Sequence, residues 1–166
     1  MNKTRIISLI AAVMVVALVG GVSAQESTAR FSPFMLSIIN PIQVPPADFD
    51  IGGLKLNLIY GESHGMTGLD IGLFSQNTGD VNALHINGVS VVGGNGNGLM
   101  ISLVANYVEG EYGGLQIGAF NYATHLSGLQ IGAINVVNTA YGLQIGVVNV
   151  VKDNDVPFLP IINGYF

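Results

Sequence analysis

The stretch GLQIGAFNYATHLSGLQIGAINVVNTAYGLQIGVVNVV, residues 114–151, decides how the whole chain is read. Its phrase GLQIG starts at Gly114, returns at Gly128 and returns again at Gly142, at equal intervals. Weaker copies run backwards from it: Gly98-Leu99-Met100-Ile101, Ala83-Leu84-His85-Ile86, Gly68-Leu69-Asp70-Ile71 and Gly53-Leu54-Lys55-Leu56. Seven such units, closely and almost evenly spaced, fill nearly all of residues 53–151. A fixed repeat of this kind means that each unit packs on its neighbours rather than closing a core alone.

Within a unit, large apolar residues alternate with polar or small ones. Leu129, Ile131 and Ala133 point one way, and Gln130 and Gly132 the other. That period of two is a strand signature, and no unit shows a helical period. The connections are built from turn residues, as in Ser63-His64-Gly65, Asn77-Thr78-Gly79-Asp80 and Gly93-Gly94-Asn95-Gly96-Asn97. The chain is expected to be all-β.

A parallel β-solenoid and a small antiparallel outer-membrane β-barrel both fit one strand per unit. In a barrel, alternate strands share surroundings, whereas in a solenoid every coil sees the same neighbours. Here consecutive units match, which favours the solenoid. On this reading Leu115, Leu129 and Leu143 stack inside the coil, together with Ile117, Ile131 and Ile145. Gln116, Gln130 and Gln144 then form a flat outward interaction face. Asn106, Asn121, Asn135 and Asn149 recur at equivalent places and predict a hydrogen-bonded ladder along the axis. Glycines let the backbone turn tightly at the coil corners. The barrel keeps some support from the terminal Tyr165-Phe166 and from the absence of Asp, Glu, Lys or Arg between Tyr112 and Val151. The aromatic girdles that a barrel needs at both membrane interfaces are missing.

Outside the array, residues 1–24 read as a secretory signal: Lys3 and Arg5, an apolar run from Ile6 to Val19, then Val22-Ser23-Ala24 as the cleavage site. The run is short of the roughly 20 residues a spanning helix needs. The short basic start points to a bacterial exported protein, placed at the cell surface, outer membrane or periplasm. Residues 25–52 read as an N-terminal cap and 152–166 as a C-terminal closing segment, both punctuated by proline, which cannot donate to a ladder.

The formal net charge of −5 argues against nucleic acid as a partner, because phosphate binding needs clustered Lys and Arg. The absence of Cys removes disulfides and thiolate metal sites. The uncharged stretch suits homo-oligomerisation or apposition to a membrane, and a regular polar face suits a protein or a repeating surface polymer. The sequence calls for no cofactor. His64, His85 and His125 lie in different units without a second ligand nearby; His85 and Asp70 take the Gln position and are expected on the strand surface. Asp153-Asn154-Asp155 lacks the glycine and distal Glu of a calcium loop. Gly93 to Gly98 lacks the Lys-Ser/Thr and helix of a phosphate loop. No nucleophile elbow is present. These readings predict a non-enzymatic protein without catalytic or metal residues.

The GLQIG units, the opening Asn40-Pro41-Ile42-Gln43 and Ile51 to Gly61, and the closing Pro157-Phe158-Leu159-Pro160-Ile161-Ile162-Asn163 resemble a family of surface repeat proteins found in leptospires and other diderm bacteria. The resemblance covers almost all of the mature chain. It implies an exported, surface-associated protein with a structural or interaction role, and it carries no catalytic residues. The coil length is also similar, more weakly, to the head repeats of trimeric autotransporter adhesins, whose membrane-anchoring domain has no counterpart in this sequence.

Overall fold

A computed structural model describes residues 30–165. The expected signal segment, residues 1–24, lies outside the described residues. Eight strands follow in order: β1 (Arg30–Ile39), β2 (Ile42–Val44), β3 (Phe49–Ser63), β4 (Met66–Asn77), β5 (Val81–Val92), β6 (Gly96–Ile117), β7 (Phe120–Val151) and β8 (Phe158–Tyr165). They form one sheet in the order β2-β1-β3-β4-β5-β6-β7-β8. Between β1 and β7 every pairing along that order is parallel. The strands wind as a β-solenoid of about seven turns at ~15-residue spacing. The antiparallel barrel is excluded, since its strands would alternate in direction and its first strand would close on its last, whereas β2 and β8 lie at opposite ends of this sheet.

The repeat units stack in register. Gly53, Gly68, Ala83 and Gly98 are partners in successive strands, as are Leu54, Leu69, Leu84 and Leu99. Gly114 and Gly128 continue the first column, and Leu115 and Leu129 the second. Gly68, Gly98, Gly114, Gly128 and Gly142 all have positive φ, from 114° to 148°. A β-carbon on Gly128 would sit 2.1 Å from the Gly114 carbonyl oxygen. Replacing Gly128 by Ala is therefore expected to cost about 1–3 kcal/mol in backbone strain alone. Urea unfolding checks this, with the neighbour Ser127→Ala as a control that should stay within about 0.5 kcal/mol of wild type.

The two ends differ from each other. Residues 30–39 form the terminal rung, paired in parallel with β3. The short β2 folds back antiparallel on β1 and covers part of its outer edge. At the far end β8 runs antiparallel to the last stretch of β7 and closes it with Pro160 in the strand. A proline there withholds one N–H from any further pairing.

The largest departure from the sequence reading is which side of the strand faces in. Leu115, Leu129, Leu143 and Ile117, Ile131, Ile145 do not fill the coil; they form ladders on its outside. Gln116, Gln130 and Gln144 point inward and are fully buried. Alternation fixes two faces but not their direction. Large side chains do fit inside, since Met35, Lys55 and Met100 occupy the same column as the glutamines. An amide fits because the copies above and below satisfy it. What apolar interior there is comes from other rows, including Ile51, Met66 and Val81 on one side and Val92, Val108, Ala123 and Val137 on another.

Candidate functional site

The interior holds two amide ladders and one charged cluster. In the Asn ladder, Asn106 Nδ2 donates to Asn121 Oδ1, Asn121 to Asn135 and Asn135 to Asn149, each at 2.8 Å. The second N–H of each amide reaches across its own coil to a backbone carbonyl: Asn106 to Ile117, Asn121 to Ile131 and Asn135 to Ile145. All four side chains are buried. Buried polar groups persist only when paired, and stacking an identical unit each turn provides that pairing.

The Gln ladder runs the other way. Gln144 Nε2 donates to Gln130 Oε1 at 2.8 Å, and Gln130 Nε2 to Gln116 Oε1 at 2.6 Å. The expectation of an exposed Gln interaction face is thereby corrected, since these amides are occupied by one another.

Following the Gln column toward the N-terminus leads to Met100, then His85, Asp70, Lys55 and Met35, one per rung. All five are buried, so Asp70 and His85 do not lie on the strand surface as expected. Lys55 Nζ finds three acceptors: Ser63 Oγ at 2.9 Å, Asn77 Oδ1 at 3.0 Å and the Gln76 carbonyl at 3.1 Å. Asp70 Oδ1 accepts from Asn57 Nδ2 at 2.9 Å, and Oδ2 accepts from Ser75 Oγ and from His85 Nδ1, the latter at 3.1 Å. Lys55 and Asp70 face each other at 3.9 Å. Burial pulls the Lys55 ammonium down to about 8, against the opposing attraction of Asp70 and Glu62. Burial would raise Asp70, but the Lys55 charge, the His85 imidazole and the Ser75 hydroxyl outweigh it and hold the carboxyl below its usual value.

Ser75, Asp70 and His85 are residue types that hydrolases use together. Here no side-chain surface of Asp70 or His85 reaches solvent, and His85 Nε2 has no hydrogen-bond partner among the described residues. A nucleophile needs an approach path and an oxyanion pocket, and a sealed coil interior offers neither. The cluster is a structural ion network. The sequence does carry a signal for it: the Gln position of three consecutive earlier units holds Lys55, Asp70 and His85, two of them opposite in charge.

The outside carries the other candidate site. Successive rungs place Phe34, Leu54, Leu69, Leu84 and Leu99 in one ladder, and Leu36, Leu56, Ile71, Ile86 and Ile101 in the next. Around the corner, Tyr107 and Tyr122 stack at 4.8 Å between ring centroids, the spacing of the rungs themselves. The carboxylates Asp50, Asp80, Glu109, Glu111 and Asp153 gather on the turn side, where His64 pairs with Asp50 at 2.7 Å and exposed His125 contacts Thr139. Among the described residues no group of three or more His, Cys, Asp or Glu converges on a point where a metal ion would sit. The molecule is therefore amphipathic at the scale of its sides: apolar ladders on the flats, charge on the turns.

Comparison with known proteins finds no matching family model, no similar curated protein and no solved structure of the same shape.

Proposed function

We propose that this chain is an exported, surface-associated repeat protein with a structural or interaction role, acting as a non-enzymatic scaffold or adhesive element. Its working part is the outward wall of Leu and Ile ladders. The observation that carries this is the inverted partition: the polar side chains of the strands are used up inside, and the apolar ones are left outside. Leu58, Leu73, Leu103 and Val147 are each more than half exposed. Contiguous apolar surface on this scale marks a contact site. The pattern of residues 1–24 and the resemblance to leptospiral-type surface repeat proteins support the exported, surface-associated part of the reading.

Fractionating host cells tests it. The expected result is a chain beginning at Gln25, recovered with the cell envelope and removed by protease added to intact cells. A chain recovered from the cytosol with Met1 still in place would overturn the proposal.

A further inference from the structure

The ion network sets a buried amine against a buried amide. Lys55, on β3, reaches across the interior to Ser63 on its own coil and to Asn77 on β4, the next rung. Nζ lies 3.0 Å from Asn77 Oδ1, which also accepts from Ser63 Oγ at 2.7 Å. A carbonyl bond is ~1.2 Å long, so the amine sits within ~4.2 Å of the carbonyl carbon. Attack starts from about 3–3.5 Å, and a turn of the Asn77 amide closes that gap. The other end of the same amide, Nδ2, is sealed in the interior and has no hydrogen-bond partner among the described residues. The Asn ladder differs: there Asn106, Asn121 and Asn135 each donate from Nδ2 both to the next rung and to a backbone carbonyl.

We propose that Lys55 and Asn77 react with each other, joining Nζ to Cγ in an amide bond that ties β3 to β4. The reaction needs no co-reactant. Lys55 passes a proton to Asp70, whose Oδ2 faces Nζ at 3.9 Å. The free amine attacks Cγ, and the Ser63 hydroxyl holds the negative charge that gathers on Oδ1. Asp70 delivers its proton to Nδ2 and takes up a second one from Nζ as ammonia leaves. One C–N bond forms, one breaks, and nothing is oxidised or reduced. Asp70 keeps the last proton, so neither partner is left as a lone buried charge.

The surroundings favour this step. Burial pulls the Lys55 ammonium down to about 8, which frees part of the amine near neutral pH. Both reactants are already inside, so the seal that bars an external substrate from Ser75 and His85 is no obstacle. Ammonia is small enough to leave through a local opening of the rungs. Until the bond forms Lys55 is a titrating ammonium; afterwards it carries no charge. The inference does not depend on what the outer wall contacts.

The test is trypsin digestion and mass spectrometry of the purified full chain after incubation near pH 8, where about half of Lys55 is free amine. Trypsin needs a cationic side chain, so an unbonded, denatured chain is cut after Lys55 into residues 31–55 and 56–152. The bonded chain should instead give one branched fragment, residues 31–152, lighter than its sequence by one ammonia, ~17 Da. Fragmentation of the wild type should place the branch between Lys55 and Asn77, an assignment that needs no variant. Asn77→Ala should be cut after Lys55. Asp70→Asn should still be largely unbonded when wild type is complete, a slowing of about 100-fold or more. Circular dichroism checks that both variants keep their strand signal. A wild type cut after Lys55 overturns the proposal. So does ammonia loss that maps only to Gln25 or to Asn95-Gly96, where cyclisation gives the same mass. Equal rates in wild type and a folded Asp70→Asn overturn it too.

Discussion

Replacing Gln116, Gln130 and Gln144 together by Glu is expected to unfold the C-terminal coils at neutral pH. Each carboxylate would enter a fully buried site and lose the N–H that now bonds its neighbour. Three like charges would stand one rung apart. Taking a single ion out of water costs several kcal/mol even after relaxation. Three of them rival or exceed the roughly 5–15 kcal/mol that holds an ordinary domain together. Replacing the same three by Met is expected to be far milder. Met100 already occupies the preceding rung of this column and is buried there. Removing both partners of a hydrogen bond leaves nothing unsatisfied, whereas removing one does. Urea midpoints for the two triple variants measure the difference. Similar midpoints would mean that the glutamines are in water after all.

Replacing Asp70 by Ala strands the Lys55 ammonium inside the coil, a loss expected at about 3–5 kcal/mol. Lys55→Met together with Asp70→Met should recover only the part due to the stranded charge, since Asn57, Ser75 and His85 still lose the carboxylate they share. The pH profile provides an independent check. The folded carboxyl of Asp70 is held below 3.8, so its contribution is complete above that value and is lost as pH falls through the folded one. Lys55 titrates in a separate window. Between about 8 and 10.5 the unfolded chain keeps a proton that the folded chain has shed, so this group adds stability as pH rises. The Lys55→Met, Asp70→Met variant should lose both slopes. If its stability follows wild type across pH, the cluster does not set the profile.

The stacking of this fold can be read directly from the sequence, because neighbouring units resemble each other more than alternate ones do. The Asn column is legible for the same reason: Asn121, Asn135 and Asn149 fall at equal intervals and have a chemistry that bonds to itself. The orientation of Leu115-Gln116-Ile117 is not legible. Hydrophobicity argues for burying Leu and Ile, and nothing local to those residues shows that the amides between them are satisfied by the rungs above and below. The same inversion hides the ion network. With Gln116 placed outside, Asp70 and His85 follow it there, although Lys55 two rungs from His85 gives the column a balance of charge that a solvated face does not need. In the N-terminal segment, Pro33 lies on the outermost rung beyond the part that β2 covers, where the ladder with β3 shifts register between Ser32 and Phe34.

Three consecutive coils with the same interior are interchangeable to the chain that winds them. If the strand slid by one repeat, Gln130 would find another Gln and Asn135 another Asn, and almost every bond would be remade. Such a stack has no internal origin; it is a ruler without a zero. Lys55, Asp70 and His85 occur once each in that column, and their bonds to Ser63, Asn77, Asn57 and Ser75 form at one alignment only. The charged rungs index the winding, so that the coils that could be counted from anywhere are counted from there.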